Sequence, residues 1–173
     1  MDKLEEIIKT YRPPAMAFAL NILGNREDAE DACQEAFASV CRDLTSLPLP
    51  AGARRWLFTI LYRKCLDAIR RRRRSVRLVR KVTSENPERL FHGDDLGKDP
   101  GPGPVAALPR DLLRFLSEKE KAVLAFWANE DYSAGEIAGI MGCSASTVRV
   151  HLYRARRKIK DRLESDHGLL QNR

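Results

Sequence analysis

The 173-residue sequence predicts an all-α fold of two small helical domains joined by a flexible linker. Apolar residues recur every three or four positions along most of the chain, and no strand-like alternation of apolar and polar residues appears. Residues 82–108 break this pattern with prolines, glycines and scattered acids, which cannot supply a packed core. We therefore assign residues 1–75 to one domain, 76–110 to the linker and 111–173 to the second domain.

Composition indicates a soluble, folded protein. Charged residues make up 32% of the chain and hydrophobic residues 43%. The N-terminus has neither the basic start nor the apolar segment of a signal peptide, and no apolar run approaches the roughly 20 residues of a membrane helix. We therefore expect a cytoplasmic protein without membrane insertion.

The net charge of +7 is concentrated in two places. Residues 70–81 hold eight Lys or Arg and no acid, and residues 144–163 hold seven against one acid. Two separated basic segments predict that a polyanion is contacted at two sites.

The sequence lacks the residue patterns of catalytic and metal sites. The cysteines at 33, 41, 65 and 143 form no Cys-x-x-Cys pair and have no nearby histidine, so we expect reduced core thiols and no metal. No nucleophile–base set and no phosphate-binding glycine loop is present. We expect neither an enzyme nor a cofactor.

The first helix is predicted to be interrupted by two prolines. Its apolar spacing starts at Leu4 and reaches Tyr11. Pro13 and Pro14 should then break or kink it, because proline removes a backbone donor and clashes with the preceding turn. Residues 15–23 continue as an apolar segment that should end at Gly24.

Residues 26–44 form the clearest amphipathic pattern in the chain. Acids cluster early in this segment, where the helix dipole favours them. Its apolar stripe comprises Ala29, Ala32, Cys33, Ala36, Phe37, Val40, Cys41 and Leu44. Residues 47–52 are then predicted to be a loop, and residues 53–73 another helix.

In the second domain, two capping boxes mark helix starts. Ser117 and Glu120 should open a helix that buries Val123, Phe126 and Trp127. The second box is Ser133-x-x-Glu136.

The helix that follows the second box should end at Gly142, where glycine tolerates a left-handed conformation, and Ser144 should cap the next helix. Two helices joined by so short a turn predict a helix-turn-helix, whose second helix enters the DNA major groove.

The second helix of this motif has two chemically different faces. Its core stripe comprises Val148, Leu152, Ala155, Ile159 and Leu163. The opposite face is rich in arginine, which pairs with guanine edges and phosphates.

Several separated segments together resemble one protein family. Residues 24–37, 56–60 and 66–74 resemble the first conserved domain of extracytoplasmic-function sigma factors, a group of the sigma-70 family, and residues 117–163 resemble the second. The resemblance implies a dissociable subunit of bacterial RNA polymerase that selects and melts promoters. It also implies an anti-sigma factor as a partner and a linker that passes near the polymerase active centre.

The resemblance assigns the acidic side of residues 26–44 to polymerase binding. The implied partner surfaces are the clamp helices of the largest subunit and, for the second domain, the flap of the second largest. The implied clamp contacts are Asp28, Asp31, Gln34 and Glu35.

The helix beginning near residue 53 resembles the element that captures the unstacked strand at the minus-10 promoter element. The implied contacts are Arg54, Arg55, Trp56, Arg63, Lys64, Asp67, Arg70 and Arg71. Trp56 is either a stacking platform or a core residue. Arg63 stands where the family often has asparagine, and it can also pair with Asp67 one turn later.

In the helix-turn-helix, the resemblance assigns one face to the minus-35 element. The implied contacts are Ser146, Thr147, Arg149, Val150, Tyr153, Arg154 and Arg157. Val150 and His151 depart from the small-polar and basic residues common in the family. The sequence leaves one alternative open: a helix-turn-helix regulator that binds duplex DNA independently of polymerase, usually as a dimer.

Overall fold

The computed structural model describes residues 3–42, 50–82, 110–129 and 132–171 and the short turns between their helices. The described residues form seven helices and no strand. The helices are α1 (Lys3–Leu23), α2 (Arg26–Arg42), α3 (Pro50–Val82), α4 (Arg110–Arg114), α5 (Glu118–Asn129), α6 (Ala134–Met141) and α7 (Ala145–Gln171). The chain divides into an N-terminal unit, residues 1–99, and a C-terminal unit, residues 100–173. The all-α, two-unit expectation is thereby confirmed.

The N-terminal unit is a bundle in which α1, α2 and α3 each pack on the other two. Phe18 of α1 and Phe58 of α3 are almost fully buried, and their rings meet edge to face with centroids 5.6 Å apart. Val40 of α2 and Leu57 and Leu61 of α3 complete the centre of the core. The apolar stripe predicted for α2 faces the bundle at Ala29, Ala32, Cys33, Ala36 and Val40. Phe37 is half-buried, Cys41 is exposed, and Leu44 lies outside the described residues.

The predicted break at Pro13 and Pro14 is wrong, because α1 is one helix of 21 residues. Pro13 lies on the exposed side and Pro14 is half-buried. Ile7 before them and Phe18 after them are both buried in the bundle. A proline inside a helix costs roughly 3 kcal/mol, and burial of apolar side chains on both sides of the pair offsets that cost.

Helix α3 is longer than predicted at both ends. Residues 50–52, predicted as loop, are helical, and Pro50 is tolerated because the first helical N–H has no partner within the helix. The helix also continues past residue 75 to Val82, since arginine is a good helix former. The predicted boundary after residue 75 thus falls inside a helix, and residues 83–109 of the predicted linker lie outside the described residues.

The C-terminal unit packs α5 and α6 against α7, with α4 beside α7. Phe126, Ile137 and Val148 are the largest side chains at its centre. A second apolar cluster comprises Leu113, Leu116, Leu124 and Ala155, with Ala128, Leu152 and Ile159 packed against it.

Two expected core residues of this unit are exposed. Trp127 is 44% exposed, and the guanidinium carbon of Arg156 lies 4.0 Å from its ring centroid. Leu163 is 41% exposed and lies one turn beyond Ile159, whose side chain packs on the apolar cluster. Spacing of three or four residues identifies a face of a helix, but it does not show how far along that face a neighbouring helix extends.

The cysteines also differ from the expectation. Cys33 and Cys65 are buried, Cys41 is exposed and Cys143 is half-buried, and all four are free thiols. Burial raises the pKa of the Cys33 thiol to about 12, which keeps it protonated and unreactive. Among the described residues, no helix combines the length and hydropathy that crossing a membrane requires.

Candidate functional site

The turn between α6 and α7 is built from the residues that were predicted to cap these two helices. The Glu136 N–H donates to Ser133 Oγ at 3.3 Å, and the Ser133 N–H donates to Glu136 Oε2 at 2.9 Å, which completes the capping box of α6. Gly142 ends that helix at φ 67°. The Thr147 N–H then donates to Ser144 Oγ at 3.1 Å, so Ser144 caps α7 as predicted.

Helix α7 presents the predicted face outward. Val148 and Ala155 are buried, whereas Val150 is 46% and Tyr153 is 64% exposed. The exposed arginines assigned to this face are Arg149, Arg154 and Arg157. Ser146 and Thr147 differ from these residues, because each hydroxyl oxygen lies 2.8 Å from Ser144 Oγ.

One lysine of α7 is engaged inside the unit. Lys158 Nζ lies 2.8 Å from Oε2 of Glu120, a residue only 4% exposed at the start of α5. Burial acts to raise the pKa of the Glu120 carboxyl, but hydrogen bonds from Lys158 and Ser117 outweigh it and hold that pKa below its ordinary value of 4.5. The capping box was visible in the sequence, whereas the partner of Glu120 is 38 residues away and was not.

His151 lies on the edge of the same region, and it is half-buried. Burial lowers the pKa of its imidazole below 6.5, Lys119 and Arg154 lower it further, and Glu120 opposes them. Among the residues that the structure describes, its Nδ1 atom has no hydrogen-bond partner. His151 is therefore mostly neutral at pH 7, which suits packing better than contact with a phosphate.

The acidic side of α2 begins with a second type of cap. The Asp28 N–H donates to Asn25 Oδ1 at 2.9 Å, and Asn25 Nδ2 donates to Asp28 Oδ2 at the same distance. Asp28 is thus part of the helix start and half-buried, whereas Asp31, Gln34 and Glu35 are exposed.

The structure brings together residues that the sequence assigned to different partners. Glu35 Oε2 of α2 lies 2.8 Å from Lys64 Nζ of α3, and Glu35 Oε1 lies 3.9 Å from Arg71 Nη1. The hydrogen bond from Lys64 holds the pKa of the Glu35 carboxyl below its usual value, and the charge of Arg71 adds to this effect. The spacing of residues along one helix does not predict which side chains of two helices will contact each other.

Along α3, Asp67 Oδ1 pairs with Arg70 at 2.9 Å and not with Arg63, so the predicted Arg63–Asp67 pair is wrong. Both pairings span about one helical turn, and the structure contains the one in which arginine follows the acid by three residues. Arg63 is exposed. Trp56 is half-buried, so its burial does not decide between a stacking platform and a core residue. Arg55 is exposed, while Arg54 is half-buried.

Two further surfaces were not predicted. A cleft of about 600 Å³ in the N-terminal unit is lined by both apolar and polar side chains, namely Ile8, Pro13, Met16, Cys33 and Phe37 together with Arg12, Arg26, Glu30 and Gln34. In the C-terminal unit, Phe115 is 51% exposed beneath the guanidinium of Arg162, whose carbon lies 5.0 Å from the ring centroid. Trp127 is likewise exposed in that unit.

Sequence comparison identifies two family regions. The family described as Sigma-70 region 2 matches residues 7–75, and Sigma-70, region 4 matches residues 110–159. The ECF RNA polymerase sigma factor SigE of Mycolicibacterium smegmatis is 29% identical over 94% of this chain. The ECF RNA polymerase sigma factor EcfG of Rhodopseudomonas palustris is 27% identical over 95% of this chain and 87% of its own length. This chain spans 62% of the length of SigE.

Solved structures share the fold. The sigma factor RpoE from Bartonella quintana, crystallised with the anti-sigma factor NepR, matches with a TM-score of 0.73 and 21% identity. That match covers 96% of this chain and 99% of RpoE. CnrH, in complex with the cytosolic domain of CnrY, matches with a TM-score of 0.60 and 22% identity over 94% of this chain and 88% of its own.

The matched regions bear directly on the surfaces described above. Region 2 contains the acidic side of α2 and most of α3, and region 4 contains the helix-turn-helix with its exposed arginines. The two regions occur in this order and together cover more than half of the chain. The chain therefore belongs to the sigma-70 family, in its extracytoplasmic-function group.

Proposed function

We propose that this protein is a sigma subunit that binds bacterial core RNA polymerase, directs it to promoters and starts melting at the minus-10 element. One observation carries the proposal: each of two separate units presents an exposed basic helix face, and in the N-terminal unit that face lies beside an exposed acidic one. A protein that only reads duplex DNA has no need of the second basic helix or of the acidic surface.

For the minus-10 element, α3 supplies positive charge and a ring. Backbone phosphates of an unstacked strand are attracted by cations, and unstacked bases pack on aromatic or apolar side chains. Arg55, Arg63 and Arg70 are exposed on α3, and half-buried Trp56 lies at its start. These features support strand capture by this helix.

For the minus-35 element, α7 acts as the recognition helix. Its N-terminal turns place Arg149, Val150 and Tyr153 outside the core, on the side that a major groove would meet. Arg149 and Arg154 are proposed to pair with guanine edges or phosphates, and Val150 to contact a thymine methyl group. Arg157, further along, is proposed to contact phosphate.

For polymerase, we propose two docking surfaces. Asp28, Asp31, Gln34 and Glu35 of α2 suit a basic surface such as the clamp helices of the largest subunit. The exposed aromatic residues Phe115 and Trp127 suit the apolar flap of the second largest subunit. Both surfaces lie away from the described cores.

We also propose control by an anti-sigma factor that covers these surfaces, and action in the cytoplasm, where transcription takes place. RpoE, which shares the fold, was solved with an anti-sigma factor, and CnrH, which also shares it, was solved with the cytosolic domain of CnrY. Exposed charge and exposed aromatic rings in one chain support a partner that shields them before polymerase is engaged.

The test of the proposal is run-off transcription with purified core polymerase, combined with gel-shift of promoter DNA with and without that core. The sigma proposal expects specific transcripts and a shift that requires core. A tight shift by the chain alone, with no transcript, would favour the independent helix-turn-helix regulator.

The clamp assignment is tested by reversing one charge. Asp31→Arg should abolish pull-down of core polymerase, since an exposed acid becomes a cation facing a basic surface. Glu27→Arg, also exposed on α2 but outside the proposed contact, is the matched control and should retain binding. Equal binding by wild type and a folded Asp31→Arg variant would remove Asp31 from the interface.

A further inference from the structure

Among the described residues, Glu35 is the one member of the proposed clamp surface that is bonded to another helix. Its two carboxylate oxygens face Lys64 at 2.8 Å and Arg71 at 3.9 Å, both on α3. Asp31, one turn earlier on the same exposed side of α2, takes part in no ion pair among the described residues. The acidic surface of α2 therefore contains one acid that is paired with another helix, Glu35, and one that is not, Asp31.

The partners of Glu35 are cations that strand capture requires. Lys64 and Arg71 belong to the proposed minus-10 face, and a carboxylate bound to them competes with a backbone phosphate for the same two cations. The side chains of Lys64, Glu35 and Arg71 are 33%, 44% and 58% exposed, so solvent and ligands reach the cluster. An exposed ion pair of this kind is weak enough to exchange for another anion.

We propose that Glu35 acts as an internal phosphate mimic: it neutralises Lys64 and Arg71 in the free protein and releases them when a basic polymerase surface binds the acidic side of α2. This inference rests on the proposed function. The carboxylate has two mutually exclusive sets of partners, the α3 cations or the cations of polymerase. Binding of core and binding of single-stranded DNA are then coupled, and by linkage each favours the other.

The surroundings of Glu35 favour an exchangeable ion pair over one that serves only to stabilise the fold. Asp67 already pairs with Arg70 on the same helix, and its negative charge acts against ionisation of Glu35. The bundle core, which includes Val40 of α2 and Leu57 and Leu61 of α3, holds these two helices together without the surface pair. Loss of Glu35 should therefore change the charge available to DNA and leave the fold intact.

The experiment measures binding of the free protein to a single-stranded oligonucleotide that carries the non-template strand of a minus-10 promoter element. Glu35→Gln should bind about threefold to tenfold more tightly than wild type, because two cations lose a competing anion. The dependence of affinity on salt should steepen by about 0.7 for each cation that is released. Circular dichroism checks that helicity is unchanged.

Glu27→Gln is the matched control. It removes the same charge from the same helix, but it lies two turns away, about 12 Å along the axis, which exceeds the Debye length of about 8 Å at physiological salt. Its affinity for the oligonucleotide should equal that of wild type. In a Lys64→Met, Arg71→Met background, Glu35→Gln should likewise have no effect.

With saturating core polymerase, wild type and Glu35→Gln should bind the strand equally, since the docked surface has already displaced the carboxylate. The inference is overturned if Glu35→Gln and Glu27→Gln behave alike in the free protein, or if the difference persists in the complex. Failure of wild type to bind core in pull-down would instead overturn the proposed function, so the two failures are distinguishable.

Discussion

The two basic helices of this protein are each tied to an acid of a neighbouring helix, but the two acids lie in different environments. Glu120, which holds Lys158 of α7, is 4% exposed and also caps α5. The side chain of Glu35, which holds Lys64 of α3, is 44% exposed and has no role in a cap. We expect a buried acid to keep its cation from DNA, whereas an exposed acid can exchange it for a phosphate.

This difference in burial suggests different roles for the Glu120–Lys158 and Glu35–Lys64 ion pairs. The buried pair fixes the orientation of α7, on which reading of duplex bases depends. The exposed pair leaves α3 free to change partners, which suits a strand that is captured only after melting begins. The following predictions test each half of this comparison.

The largest effect is expected at the buried acid. Glu120→Ala removes the cap of α5 and the bond to Lys158, and it should destabilise the C-terminal unit by about 2–3 kcal/mol. Hydrogen exchange of the amide groups in α5 and α7 measures this locally. Glu164→Ala, which removes an exposed pair with Lys160, is the control and should cost about 0.5 kcal/mol or less. Equal losses in the two variants would contradict the structural role of Glu120.

Base reading by α7 should be nearly as sensitive. Replacement of whichever of Arg149 and Arg154 contacts a base edge should cost about 1–3 kcal/mol and relax preference at one base pair. A library of upstream sequences, transcribed by each alanine variant, measures the preference. The assignment fails if neither variant changes the preference while transcription from the parent promoter persists.

Acid should weaken the C-terminal unit through the same carboxyl group. The pKa of Glu120 is depressed in the folded protein, so its contribution is present above pH 4.5 and is lost as pH falls through the folded pKa. Hydrogen exchange or thermal unfolding between pH 6 and 3 should show this loss. Glu120→Gln, which cannot titrate, should show a shallower decline, and an identical pH profile would exclude Glu120 as its source.

The smallest expected effect separates two neighbouring cations of α7. Arg157 faces solvent and lies 3.8 Å from Asp161, whereas Lys158 is bound to Glu120. Arg157→Met should flatten the salt dependence of duplex binding by about 0.9, the value for one phosphate. Lys158→Met should leave that slope unchanged, although it destabilises the unit. Equal slopes for the two variants would show that the buried pair does not withdraw Lys158 from DNA.

The local features of the chain could be read from the sequence, because they depend on residues three or four positions apart. The capping boxes of Ser117 and Ser133 and the turn at Gly142 occur as predicted, and so do the two faces of α7 as far as Ile159. Each is set by hydrogen bonds or side-chain spacing within one or two helical turns. The family resemblance added the division into polymerase-facing and DNA-facing surfaces.

Only the tertiary structure decided which charges are paired and which local rules are overridden. Burial on both sides of Pro13 and Pro14 keeps α1 continuous, although proline alone predicts a break. Glu120 meets Lys158 and Glu35 meets Lys64 across helix interfaces, and no periodicity within one helix records which residues will face each other there. Sequence spacing determines the faces of helices, and the packing of those faces determines which charges remain available to a partner.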